Sequence, residues 1–187
     1  MSDVPRLRTE RLLLREHRPD DLDPYAALWG DADVVRYIGG KPLERQDCWQ
    51  RILRFRGMWS ALGFGFWIIE DSASGKLIGE CGVMDAKRAI APSLDGTLEA
   101  GWALLPSTHG RGLAHEAMKA VLAWTDAEFP ALPQSCIIAE GNAASMRLAG
   151  HLGFQESGRG DHHGAQLVHY RRTARQSAQA AAGSSAD

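Results

Sequence analysis

His109-Gly110-Arg111-Gly112 stands between an apolar, strand-like run, Thr97–Leu105, and a helix-patterned run that begins at Leu113. Strand, glycine loop and helix in that order build an anion site. The glycines let the backbone approach a ligand closely, and the free N–H groups of the helix's first turn point at it with the positive end of the macrodipole behind them. The ligand that suits such a loop is a phosphate or a pyrophosphate. The plainer reading is that Gly110 and Gly112 only turn the chain. Spacing excludes two nucleotide-binding devices: G-x-x-x-x-G-K-[ST] is absent, and a dinucleotide fingerprint needs a third small residue where His115 stands.

Other side chains with chemical capacity lie on both sides of this loop. Glu99 belongs to the strand before it and Glu80 to the run Lys76–Met84. Downstream, Asn142 sits where a helix N-cap belongs, and Ser145 takes the third position of that helix. Cys48, Cys81 and Cys136 are odd in number and widely spaced, which fits buried free thiols rather than a disulfide framework or a metal cluster. His162, His163 and His169 lack a carboxylate or cysteine partner at metal-ligand spacing, so they read as surface loop histidines and no metal is expected.

The elements that must position these groups follow from periodicity. Leu7–His17, with Leu12-Leu13-Leu14 at its centre, reads as one strand buried on both faces. Pro19-Asp20-Asp21 opens a helix to about Trp29, a short helical piece covers Ala32–Ile38 before Gly39-Gly40, and Leu43–Leu62 repeats apolar residues at a period near 3.6 until Gly63. Phe64–Glu70 and Lys76–Met84 form a hairpin, Leu113–Ala127 a helix, Gln134–Ala139 a strand and Ala143–Leu152 a helix ended by Gly153. Gln155–Arg159 and Gln166–Arg172 supply two last strands around the loop Gly160–Ala165. Trp29, Trp49, Trp59 and Trp67 belong to the core by position, with Trp59 or Trp67 available to line a groove. The order gives an α+β domain, a mixed sheet flanked by helices over residues 7–172, followed by an Ala/Ser/Gln-rich tail, 173–187, expected to be disordered.

Composition sets the bounds. The 187 residues suffice for one well-buried core, and 44% apolar with 24% charged residues is ordinary for a soluble globular chain. A net charge of −2 argues against a nucleic-acid backbone binder. Gly57–Ile69, the longest uncharged run near the middle, is too short to span a bilayer, and Arg6, Arg8 and Arg11 are followed by no signal-type apolar segment. A cytoplasmic location is expected.

Three separated motifs in order, E-A-G-W-A-L-L-P, T-H-G-R-G-L-A-H-E-A and E-G-N-A-A-S-M-R-L-A-G-H-L-G-F, together with the opening L-R-T-E-R-L-L-L-R-E, resemble the GNAT acetyltransferase superfamily. Within it the chain looks most like the RimJ/RimL branch of ribosomal-protein N-terminal acetyltransferases, from roughly Leu7 to Arg171. The resemblance implies a mostly antiparallel sheet of about seven strands, the central pair splayed to admit the cofactor. It implies an acetyl-coenzyme A-dependent N-acetyltransferase acting on a primary amine by direct transfer in a ternary complex. The amine would be a protein N-terminal α-amine, with a small amine such as an antibiotic, polyamine or amino acid, or a non-catalytic coenzyme A-binding module, as alternatives. A homodimer is common in the branch.

Residue by residue, the family's pyrophosphate loop falls on His109, Gly110, Arg111, Gly112, Leu113 and Ala114, with His115 following and His109 in place of the usual glutamine or arginine. Trp102, Ala103 and Leu104 fall on the strand segment whose backbone pairs with pantetheine, from which Gln134–Ala139 must splay away. Asn142 matches a cofactor-contacting asparagine. Ser145 matches the serine proposed in the branch to protonate the departing thiolate, and Ala149 stands where other members place a tyrosine. Glu99 matches a common glutamate and is the first candidate base, through a water if not directly; its other reading is a surface carboxylate. Glu80 is the second candidate, because the glutamate used by alanine-specific members falls on Ile137. Cys81 and Cys136 have no adjacent acid or histidine to suggest a covalent acetyl-enzyme.

Overall fold

The computed structural model describes residues 4–162 and 164–173. His163 and residues 174–187, which hold all but Thr173 of the expected disordered tail, lie outside the described residues. The strands are β1 (Leu7–Arg8), β2 (Leu12–Arg15), β3 (Phe66–Asp71), β4 (Leu77–Met84), β5 (Leu98–Leu104), β6 (Gln134–Ala139), β7 (Gln155–His162) and β8 (Ala165–Arg172). The helices are α1 (Leu22–Trp29), α2 (Ala32–Val35), α3 (Arg45–Leu62), α4 (Leu113–Glu128) and α5 (Ala143–His151). One eight-stranded sheet runs β1-β2-β3-β4-β5-β6-β8-β7, antiparallel at every step except β5–β6.

Two sequence expectations are corrected. The first run is a hairpin rather than one strand: the Thr9 hydroxyl accepts from Leu12 N–H at 3.0 Å, and Thr9 N–H bonds the Leu12 carbonyl at 3.0 Å. A threonine turn therefore divides the run and raises the strand count to eight. The last hairpin is longer than expected, with β7 reaching His162, so Gly160 lies inside the ladder and not in a loop.

Alternation along the strands sorts the core onto two faces. On one, Trp67, Ile69, Cys81, Val83, Leu98, Ala100, Cys136, Ile138 and Val168 pack against Leu113, Ala117, Met118, Val121 and Leu122 of α4. Trp59 and Trp67 belong here, with ring centroids 4.6 Å apart and both rings against Trp124, so they line no groove. On the other face Ile68 and Ala103 meet Tyr25, Leu28 and Trp29 of α1 and Cys48 and Ile52 of α3. Burying a large apolar side chain is worth about 1.5–3 kcal/mol, so these two layers hold the sheet rigid on both sides of β5.

Candidate active site

β5 has two unlike edges. Toward β4 it pairs continuously, from Met84↔Glu99 to Gly79↔Leu104. Toward β6 the parallel ladder holds only Leu98↔Gln134 and Glu99↔Ser135, although β6 runs on to Ala139. Leu98 N–H bonds Pro133 on the β6 side at 2.9 Å, and Leu105 N–H bonds Ile78 on the β4 side at 2.9 Å. Alternation then turns the backbone groups of Trp102 and Leu104 toward β6, into the gap, while Ala103 between them gives its backbone to β4. Unpaired strand groups of this kind are a template for an extended ligand.

The glycine loop lies just beyond the end of β5. Gly110 and Gly112 both have φ of +74°, a left-handed conformation that a side chain would strain. Gly112 is the N-cap of α4 and no side chain caps it. The first amide satisfied by the turn is that of Glu116, on the Gly112 carbonyl at 3.0 Å. The N–H groups of Leu113, Ala114 and His115 are left open, among the described residues, at the positive end of a sixteen-residue helix, where an anion gains about 0.3–1 kcal/mol from the dipole alone. His109 Nε2 lies 3.0 Å from the Leu104 carbonyl, so the imidazole fixes the loop to the last residue of β5. Arg111 is exposed beside the open amides.

Ser145 and Trp102 meet across the gap. Trp102 Nε1–H donates to Ser145 Oγ at 3.2 Å, and Ser145 N–H donates to the Asn142 side-chain oxygen at 3.1 Å. Asn142 thus caps α5, as its position suggested, with its amide NH2 uncommitted among the described residues. Because Trp102 occupies an acceptor site on Oγ, the Ser145 O–H remains available to donate.

The two carboxylates are placed differently. Glu99 is 5% exposed and both its oxygens receive Arg88 Nε at 3.0 Å, so it is no surface carboxylate. Glu80 is fully buried: Tyr25 O–H donates at 2.6 Å, Arg51 donates at 2.7 and 3.1 Å, and His17 Nε2 lies 3.2 Å away. Burial alone would push its carboxyl up. The Arg51 charge, helped by the bonds from His17 and Tyr25, pulls it down to about 2. A carboxylate so stabilised is a poor proton acceptor at neutral pH. Burial likewise pushes the Cys81 and Cys136 thiols above their ordinary range, which keeps both protonated and inert.

Sequence reasoning missed two features. His169 is 1% exposed in β8, not a surface loop residue; it pairs with Ile137 across the ladder, and neither ring nitrogen has a hydrogen-bond partner among the described residues. Desolvation lowers its pKa, so it is neutral at physiological pH. Its strand alternation was the available signal. Tyr37 and Ile38 are exposed between α2 and α3, and the Tyr37 ring lies beside Gly141, ahead of α5, where only the end of a helix was read. Among the described residues no group of three or more His, Cys, Asp or Glu side chains could hold a metal, and no helix is long and apolar enough to cross a membrane.

Known proteins resemble this chain. The family model described as an acetyltransferase (GNAT) domain matches residues 11–155. A solved structure from Bordetella pertussis, assigned to the GnaT family of acetyltransferases, is 32% identical with a TM-score of 0.81, covering 91% of this chain and all of that one. The uncharacterized protein YkkB of Bacillus subtilis is 29% identical over 164 residues, 84% of this chain and 89% of its own. The fold alone is shared with a RimL ribosomal-protein acetyltransferase solved with coenzyme A (14% identical, TM-score 0.74, covering 90% of this chain and 98% of that one). It is also shared with a Vibrio cholerae spermidine N-acetyltransferase solved with CoA and spermine (16%, 0.71, covering 89% and 97%). A matched domain over most of the chain, a sheet splayed beside a glycine loop and an uncapped helix leave one conclusion: this chain belongs to the GNAT acetyltransferase family and is an N-acetyltransferase.

Proposed function

We propose that the chain transfers acetyl from acetyl-coenzyme A to a protein N-terminal α-amine, in the cytoplasm, without a covalent acetyl-enzyme. The observation that carries the donor site is the abrupt end of β5–β6 pairing after Glu99 and Ser135, with open amides just beyond it. In this reading the N–H groups from Gly110 to His115 hold the diphosphate, Trp102 and Leu104 hold the pantetheine by their backbone, and the Asn142 amide NH2 donates to the same arm. The amine nitrogen bonds to the thioester carbonyl carbon, the C–S bond breaks, the amine loses one proton and the sulfur gains one. Ser145 O–H supplies the proton at sulfur. Glu99, shared with Arg88, takes up the amine's proton through a water.

The acceptor follows from the state of the carboxylates. A lysine or polyamine nitrogen has a pKa near 10.4 and needs a strong base or a cluster of free carboxylates to bind it, whereas an α-amine near 8 is already partly neutral at pH 7. Glu80 and Glu99 are both engaged by arginine, which supports the less demanding amine. Thiol release from acetyl-coenzyme A, followed across N-terminal peptides, polyamines, aminoglycosides and amino acids, tests this. Turnover confined to peptides is expected. A preference for a polyamine or another small amine would replace the acceptor, and coenzyme A binding without any turnover would leave a binding module.

A further inference from the structure

The opening motif T-E-R-L takes no part in the chemistry above, yet its side chains reach α4. The Glu116 carboxylate, in the first turn of α4, accepts on one oxygen from Thr9 O–H at 2.6 Å and from Arg11 N–H at 2.9 Å. Its other oxygen accepts from Arg11 Nε at 2.7 Å and pairs with the same guanidinium at 2.6 Å. The remaining arm of Arg11 donates to the Arg111 carbonyl at 2.9 Å, between the two glycines of the loop. One arginine thus grips both the loop and the helix that follows it.

We propose that Arg11, with Thr9 and Glu116, is a positioning residue for coenzyme A diphosphate, an inference that rests on the donor site proposed above. Two physical consequences carry it. In a trans peptide the C=O and the following N–H point in opposite directions, so drawing the Arg111 carbonyl toward Arg11 aims the Gly112 N–H away from it, to the open side of the loop. A carbonyl facing the cradle would also repel an anion, and Arg11 draws this one away from it. The second consequence is electrostatic. Glu116 places a full negative charge in the first turn of the helix that must receive an anion, and Arg11 offsets that charge at contact distance. With Arg11 gone, the loop loses its orientation and the diphosphate faces an uncompensated carboxylate.

The test uses the full chain and measures steady-state kinetics, calorimetric binding of coenzyme A and melting temperature together. Wild-type binding is measured first, because its absence overturns the donor site itself and this proposal with it. In Arg11→Ala the KM for acetyl-coenzyme A and the Kd for coenzyme A are expected to rise by about tenfold or more, the scale of a lost charge-assisted bond, with kcat and the amine KM little changed. A purely structural role would instead lower the melting temperature and the active fraction and leave KM alone. Adding Glu116→Gln to Arg11→Ala is expected to recover part of the affinity, since it deletes the stranded charge. Undiminished coenzyme A affinity in Arg11→Ala, or a further loss in the double variant, overturns the proposal. Should Arg11→Ala fail to fold, Arg11→Lys, which keeps the charge but cannot span both partners, carries the same criterion.

Discussion

The two sides of β5 show opposite treatments of polar groups. On the β4 side Glu80, a buried charge, is saturated: a tyrosine, a histidine and an arginine cover its two oxygens, and Arg51 in turn stacks over Trp29 at 4.1 Å and Phe55 at 4.9 Å. On the β6 side Trp102 and Leu104 present backbone to a gap and, among the described residues, the α4 amides are uncapped and the Ser145 O–H is uncommitted. Saturation makes a rigid wall with no appetite for ligand. Incompleteness leaves groups that a ligand can satisfy, and the wall keeps the incomplete edge from collapsing. A buried polar cluster is therefore no evidence of catalysis, whereas polar groups left waiting beside a rigid support are.

The comparison can be broken from the wall first. Arg51→Ala strands a carboxylate that has no exposure, and is expected to cost about 3–5 kcal/mol of stability, read from urea denaturation, while the KM for acetyl-coenzyme A stays near the wild-type value. A variant that melts normally but loses coenzyme A affinity would move the cluster from wall to site. Acid should reach the same group. The Glu80 carboxyl is depressed from 4.5 to about 2 in the folded chain, so its contribution is fully present above pH 4.5 and is lost as pH falls toward 2. That contribution amounts to about 3 kcal/mol at 1.36 kcal/mol per unit. The stability gap between wild type and Glu80→Gln should narrow over that window; a gap independent of pH contradicts the assignment. On the open edge, Ser145→Ala is expected to lower kcat by about tenfold or more with little change in melting temperature, the scale of one positioned proton donor. Full turnover with every accepted amine removes Ser145 from the chemistry.

Much of this architecture was legible from residue types. The glycine pair between an apolar strand and a helical period announced a left-handed turn into a helix, and Asn142 before the expected helix Ala143–Leu152 announced a cap, because both are local backbone requirements. The division of Leu7–Arg15 into a hairpin was not legible, since it hangs on a single threonine hydroxyl inside a run that alternates poorly. Glu99 could not be told from a surface carboxylate, because its partner Arg88 comes from the long connection between β4 and β5. The burial of His169 was not legible because Gly160, where an added side chain would meet both His169 Nε2 and the Ala91 carbonyl, brings together segments far apart in sequence. The splay of β6 from β5 came only from resemblance, as no local rule fixes where a parallel ladder stops.

The central claim is that the free edge of β5 and the uncapped end of α4 together receive coenzyme A. Calorimetric titration of coenzyme A into the wild type and into Gly112→Glu tests it most directly, because the substitution puts a strained side chain and a negative charge at the mouth of the open amides. Saturable one-site binding by the wild type and none by a folded Gly112→Glu variant is the predicted result. Equal affinity in the two proteins would contradict the account.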